Sequence, residues 1–261
     1  LRLLRGMHER LLSSGRGARR NPGNFRDGQN HIGPPGCSIE EATFVPPAVP
    51  LMLDALHEWE SFLHDRTLPP LIRAAYVHAQ FETIHPFWDG NGRIGRMLIT
   101  LMLVQEEILT QPLLYLSIFF KSHRLVYYER LQATRDLADW TGWVVFFLTG
   151  VRETCKLALI SVQRILRLRE QTLNTAQSLA QSANYGRLAD ALFHNPIIST
   201  NRVAEILNIS HQAASNIISR FVKANILVPR PGRGRNRRFA FQAYLDILNE
   251  ESDLAVAQPS P

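Results

Sequence analysis

The chain has 261 residues, 45% hydrophobic and 20% charged, which excludes a disordered or fibrous polypeptide and allows one large domain or two modest ones. Its 29 Lys and Arg against 23 Asp and Glu leave a net charge of +6, a mildly basic balance that favours anionic partners without naming one. No run approaches the roughly 18 consecutive apolar residues of a membrane helix, so no membrane partner is expected; Cys37 and Cys155 fit neither a disulfide framework nor a CxxC zinc site, and a reducing cytoplasm is the default location.

Residues 1–13 read as a helix closed by Ser14-Gly15-Arg16-Gly17. The chain opens on Leu1 without a signal-cleavage pattern, and the expectation is a longer parent protein. Residues 21–50 are rich in Gly and Pro, with extended stretches at 29–32 and 42–45 that predict a hairpin on a long loop. Leu53, Leu56, Trp59 and Leu63 then keep helical spacing, and Pro69-Pro70 starts a helix that runs to about Ile84. After a glycine-rich bend, Ile94, Met97, Leu98, Leu101 and Ile108 predict a helix with that face buried. Helical text continues over 117–136 and 140–168, and 170–186 reads as a polar connecting helix or linker. Short helices at 187–194, 200–207 and 211–224 precede two apolar strands around an arginine-rich turn. The division expected is therefore 1–155, a helical linker over 156–186, a second domain over 187–250 and a flexible tail over 251–261.

The densest functional signal is His85-Pro86-Phe87-Trp88-Asp89-Gly90-Asn91-Gly92-Arg93-Ile94-Gly95-Arg96, at the start of a helix. Gly90, Gly92 and Gly95 allow backbone N–H groups to face one concavity, where the helix dipole adds positive potential. Arg93 and Arg96 supply two forks suited to phosphate oxygens. Asp89 is a hard oxygen ligand for Mg²⁺ held against phosphates, and the His85 imidazole suits general-base work on a hydroxyl. The bland alternative is a capped helix junction with an incidental histidine. The glycines also spell G-x-G-x-x-G, but a dinucleotide fold needs a preceding buried strand, and residues 71–84 read as helix.

The segment HPFWDGNGRIGR matches every defined position of H-P-F-x-[DE]-G-N-G-R-x-x-R, the signature of the Fic (Fic/Doc) family, and the text around it over residues 1–150 resembles that family as well. The resemblance implies a mainly helical fold with a β-hairpin flap and a protein adenylyltransferase with ATP as co-substrate and Mg²⁺ as cofactor. It implies His85 as the base, Asp89 as metal ligand, Phe87 as buried anchor, Asn91 and the backbone of Gly90 and Gly92 around the α-phosphate region, Gly95 as a further nucleotide-binding position, and Arg93 and Arg96 on the outer phosphates. AMP would pass to a Ser, Thr or Tyr of a target protein, self-modification included, and a flap at Ile32 and Thr43, Phe44 and Val45 would dock that target by strand addition. Tyr127 and Tyr128 resemble adenine-pocket residues and fit core aromatics equally well. Arg135 stands where the family often has Asn. Many members carry an inhibitory [ST]-x-x-x-E-[GN] motif whose Glu pairs with the second motif arginine, here Arg96. No Glu of this chain precedes Gly or Asn, so the expectation is an upstream inhibitory segment and a released site.

From about Arg187 the pattern resembles a winged helix-turn-helix. Ser199-Thr200 can cap one helix, and 211–226 would be the recognition helix, with Ala214, Ile217, Ile218 and Phe221 inward and Gln212, Ser215 and Asn216 outward. Arg233, Arg235, Arg237 and Arg238 lie on the expected wing and suit DNA phosphates; a protein-docking or dimerisation module is the alternative, so DNA and a second copy of the chain are further candidate partners. The other histidines, His8 and His78 among them, read as surface or satisfied core residues. Two rival functions stand beside adenylylation: a transferase using another phosphate-containing donor, and a DNA-binding regulator that senses nucleotide.

Overall fold

The computed structural model describes residues 1–13, 20–111, 114–231 and 237–254, those from 250 onward by backbone alone. Prolines and glycines set the ends of the helices that carry the candidate site: α1 (Arg2–Leu12), α2 (Val49–Leu63), α3 (Pro70–Ile84) and α4 (Asn91–Gln105). α2 and α3 carry Pro in their first turns, where the missing N–H has no intrahelical partner to lose. α5 (Leu116–Ser122), α6 (Arg124–Asp136) and the 40-residue α7 (Trp140–Leu179) follow. The described chain divides into two compact units, one over Leu1–Thr154 and one from Cys155 onward.

Among the described residues, the regular structure of the first unit is all helix apart from one bridge. Phe81 and Ile84 of α3, Ile94 and Ile99 of α4, and Trp143 and Phe147 of α7 are buried together. The two buried indoles keep their N–H groups satisfied on α3 carbonyls: Trp59 Nε1 donates to Val77 (2.9 Å) and Trp143 Nε1 to Ala75 (2.8 Å). The buried Arg73 pairs with Glu106 just past the end of α4 at 2.5 Å, tying α3 to that end.

Three expectations change here. On α4 the buried face is Ile94, Gly95, Leu98, Ile99, Met102 and Leu103, whereas Met97 and Leu101 are exposed and Ile108 lies beyond the helix. The small Gly95 lets α4 roll toward α3, which turns 97 and 101 outward. The expected helix over 117–136 is broken at His123 (φ −105°, ψ 37°), whose ring lies 4.2 Å from that of Phe119. The flap is also narrower than the sequence predicts, a single antiparallel bridge between Ile32 and Phe44. Pro34, Pro35, Pro46 and Pro47 flank it and cannot donate to a longer ladder.

The second unit contains α8 (Ala183–His194), β1 (Ile197–Ser199), α9 (Thr200–Leu207), α10 (His211–Lys223), β2 (Val228–Pro229), β3 (Arg238–Ala240) and α11 (Gln242–Leu254). The strands form an antiparallel sheet in the order β1-β3-β2, with Ile198 opposite Phe239 and Val228 opposite Ala240. Ser199 caps α9 by accepting from Arg202 N–H, and Ser210 caps α10 by accepting from Ala213 N–H. Asn208 makes the turn between them at φ 53°. Ala214, Ile217, Ile218 and Phe221 all face the core, as the spacing predicts. The spacing does not predict β1; three residues are too few for alternation to show, and only pairing with β3 makes Ile197–Ser199 a strand.

Candidate active site

His85 closes α3 with its backbone in the left-handed region (φ 49°, ψ 58°), unusual for a residue with a Cβ. Pro86 behind it disfavours continuation of the helix. Arg26 holds this turn in place: its Nε donates to the His85 carbonyl (3.1 Å) and its backbone N–H to the Pro86 carbonyl (2.9 Å). The Arg26 side chain is buried, forms no ion pair among the described residues, and also donates to the carbonyls of Gly28 (3.0 Å) and Pro47. One cation thus gathers the negative end of α3 and both ends of the flap segment.

His85 Nδ1 lies 3.3 Å from the Glu82 carbonyl. A carbonyl can only accept, so Nδ1 carries the proton and Nε2 keeps its lone pair. Burial pushes the imidazole down to about 4, and the positive charges of Arg135 and Arg26 act in the same direction, against the Glu82 carbonyl and Asp89. At neutral pH the ring is therefore an uncharged base.

The turn into α4 is fastened from within. Asn91 Oδ1 accepts from the Phe87 N–H (2.9 Å) while Asn91 Nδ2 donates to the Phe87 carbonyl (2.8 Å). One lone pair of Oδ1 and one hydrogen of Nδ2 are thereby spent on fixing the turn at the start of α4. Gly90 takes φ 88° at the N-cap and donates its N–H to Asp89 Oδ1 (2.6 Å). A Cβ on Gly92 would stand 3.0 Å from Arg96 Nη1, so glycine there lets the Arg96 side chain lie along the start of α4.

A Cβ on Gly95 would stand 2.8 Å from Glu82 Oε1 and 3.1 Å from Phe81 Cδ1, so its bareness serves the contact between α3 and α4. Arg93 pairs with Asp89 at 3.4 Å. Arg96 makes no side-chain hydrogen bond or ion pair among the described residues. Its charge, and that of Arg135, opposes the burial that pushes Glu82 up to about 7, and Glu82 Oε1 is buried without a hydrogen-bond partner.

Among the described residues no group of three or more His, Cys, Asp or Glu could hold a metal alone. Asp89 Oδ2 has no hydrogen-bond partner among them and sits beside the positive end of α4. A single carboxylate in that place fits Mg²⁺ that takes its remaining ligands from phosphates and water.

Tyr127 is buried and its hydroxyl lies 3.0 Å from His78 Nε2, a placement that fits the core reading; Tyr128 is half exposed with Arg124 5.6 Å from its ring. In the flap, Ile32 and Phe44 exchange both backbone bonds (2.8 and 3.0 Å), and Thr43 and Val45 are exposed on either side. Sequence reasoning missed what lies over Phe44: the Arg135 guanidinium, 3.8 Å from the ring centroid. It also missed Arg26, since nothing near Asn24-Phe25-Arg26-Asp27 signals a partner 59 residues away. In the second unit Gln212 and Asn216 are exposed on α10 and Ser215 is half-buried. Arg237 and Arg238 are exposed, while Arg233 and Arg235 lie outside the described residues.

Residues 1–103, which hold the flap, α3, the His85–Arg96 segment and most of α4, match the Fic/DOC family. They form a Fic/DOC family domain. The protein adenylyltransferase Fic of Drosophila persimilis is 30% identical over 166 residues, covering 61% of this chain and 30% of that protein. A probable protein adenylyltransferase of Aquifex aeolicus is 37% identical over 71 residues, covering 26% of this chain and 22% of its own. The chain thus spans well under half the length of these curated relatives. A crystal structure of a Fic family protein from Desulfovibrio desulfuricans G20 superposes with a TM-score of 0.53 at 22% identity, over 91% of this chain and 67% of that one, a likeness of fold. Among the described residues, no helix is long and apolar enough to cross a membrane.

Proposed function

We propose that the Fic domain transfers AMP from ATP to a hydroxyl of a protein. The observation that carries this reading is His85: a histidine held neutral, in one tautomer, at the turn that presents Asp89 and the start of α4. A pocket that only sensed nucleotide would have no use for a base fixed in this way. Nε2 of His85 takes the proton of a Ser, Thr or Tyr hydroxyl as its oxygen bonds the α-phosphorus. The bond from the α-phosphorus to the bridging oxygen breaks, and pyrophosphate leaves. The N–H groups that open α4 and the guanidinium groups of Arg93 and Arg96 would hold the phosphates in line. Mg²⁺, held by Asp89, would supply charge neutralisation on those phosphates.

Two labels test the assignment. With α-labelled ATP the protein fraction should take up label, and with γ-labelled ATP it should not; γ-label on protein would mean a kinase. His85→Ala should lose about 10²- to 10⁴-fold in transfer while still binding nucleotide, because the base acts on the hydroxyl. Asp89→Ala should move the magnesium titration to higher concentration.

A second reading concerns the other unit. We infer that α9, α10 and the β1-β3-β2 sheet form a winged helix that binds DNA, supported by exposed Gln212 and Asn216 on the second helix of the pair and by exposed Arg237 and Arg238 at the sheet. Replacing Arg235, Arg237 and Arg238 with Ala should weaken DNA binding and flatten its salt dependence, by about 0.9 in log–log slope for each phosphate no longer neutralised. Absence of any gel shift by the unmutated protein at low salt would favour a protein-docking module.

A further inference from the structure

Arg135 of α6 reaches two other parts of the Fic domain, the flap and the carbonyl end of α3. Its guanidinium lies over the Phe44 ring at 3.8 Å to the centroid. Its Nε donates to Thr83 Oγ1 (3.1 Å) and its Nη2 to the Glu82 carbonyl (3.3 Å), while Nη1 is steadied by Gln132 Oε1 on its own helix (3.1 Å). Its hydrogen-bond and ring partners among the described residues are all neutral groups, and the carboxyls of Glu82 and Asp136 act on it only through space. A planar guanidinium can do both tasks at once, its face on an aromatic ring and its edge on oxygens. The Glu82 carbonyl it bonds is the same one that fixes the tautomer of His85. Phe44, for its part, is one half of the flap's only bridge among the described residues.

We propose that Arg135 is a positioning residue: it fixes the flap against the carbonyl end of α3, and so sets where a docked protein segment stands relative to His85. A flap held by one bridge has little rigidity of its own, and the two exposed positions beside Phe44, Thr43 and Val45, can present a straight edge to an incoming strand only if Phe44 is pinned. Arg26 fastens the two ends of the flap segment, and Arg135 fastens its middle. The consequence for target selection rests on the adenylyltransferase reading; the tie between Arg135 and the flap does not.

The test begins with amide hydrogen exchange on the full chain without ligand, read at the Ile32 and Phe44 N–H groups. Arg135→Ala and Phe44→Leu should each speed exchange there about tenfold, and the double variant should add little to either, because both remove one interaction. Arg135→Lys, which keeps the charge but loses the flat fork, should behave nearly as Ala. Amides of α3 and α4 exchanging as in the unmutated chain show that the fold is intact; should Arg135→Ala not fold, the Lys variant and Phe44→Leu carry the comparison. Unchanged flap exchange, or fully additive effects, overturns the tie.

Transfer is then measured with the His85→Ala chain as protein acceptor at varied concentration. Arg135→Ala should raise the KM for that acceptor about tenfold and leave the KM for ATP within twofold. An equal rise in both would make Arg135 a nucleotide contact and overturn the proposal. If the unmutated chain shows no α-label transfer to any protein, the adenylyltransferase reading fails, while the exchange data still decide the tie.

Discussion

His8 lies flat on Phe87, ring centroids 3.8 Å apart and planes 10° from parallel, and joins α1 to the loop that carries Asp89. It is wholly buried and uses both ring nitrogens. The Gly23 N–H donates to Nδ1 (2.9 Å), so the proton sits on Nε2, which donates to the Asp89 carbonyl (3.0 Å). Burial favours this neutral form by pushing the ring's pKa down. Of the two readings expected for His8, surface or satisfied core, the core one holds, and the ring also clamps the loop that bears Asp89.

His8→Phe keeps a ring on Phe87 but leaves the Gly23 N–H and the Asp89 carbonyl without partners. It should cost about 1–3 kcal/mol in urea unfolding, and His8→Ala, which also leaves a cavity, should cost more. Stability of His8→Phe equal to that of the unmutated chain would show that the two bonds contribute nothing.

Gly95→Ala separates packing from ligand binding. The added methyl meets Glu82 Oε1 at 2.8 Å, Phe81 at 3.1 Å and His78 at 3.2 Å, so α4 must move away from α3. Destabilisation of about 1–3 kcal/mol is expected, with nucleotide affinity largely kept in the folded fraction. Calorimetric titration with ATP alongside thermal melts reads both. A large loss of affinity without loss of stability would return Gly95 to the phosphate site.

What the sequence makes legible follows from distance along the chain. α3 and α10 carry their limits in local residues: Pro70 at one start, Ser210 capping the other, and apolar spacing between. His85 and Asp89 stand four residues apart within one loop, so their chemistry shows as a motif. The side chains that hold that loop do not: Arg26 meets its carbonyl 59 positions away, His8 81 and Arg135 53. A lone arginine or histidine carries no sign of a partner so remote. The face of α4 differs from its hydropathy pattern for a related reason, since hydropathy counts Gly95 as neutral whereas packing sets it directly against Phe81, Glu82 and His78 of α3.

The pH dependence of transfer should reveal the burial of His85. With the imidazole pushed down to about 4, the base stays unprotonated through neutral and mildly acid pH, and the acid limb of kcat/KM should lie well below the 6.5 of a solvated histidine. The same displacement makes His85 favour the folded state above about pH 6.5, a contribution lost as pH falls toward 4 because the unfolded chain then binds the proton first. Near-UV circular dichroism separates acid unfolding from titration of the base. An acid limb centred near 6.5 in folded protein would mean that the ring is hydrated in the working enzyme.

Glu82 gives the opposite sign. Its carboxyl is pushed up to about 7 by burial, only partly offset by Arg96 and Arg135, so between about pH 4.5 and 7 the folded protein holds a proton that the unfolded chain has released. Stability from this group is complete below 4.5 and falls as pH rises to 7, by at most about 3 kcal/mol. Glu82→Gln cannot ionise and escapes that fall, whatever constant cost its buried amide brings. The melting temperature of Glu82→Gln relative to the unmutated chain should therefore climb between pH 5 and pH 8. A difference that stays constant across that range would show that Glu82 is ionised throughout it.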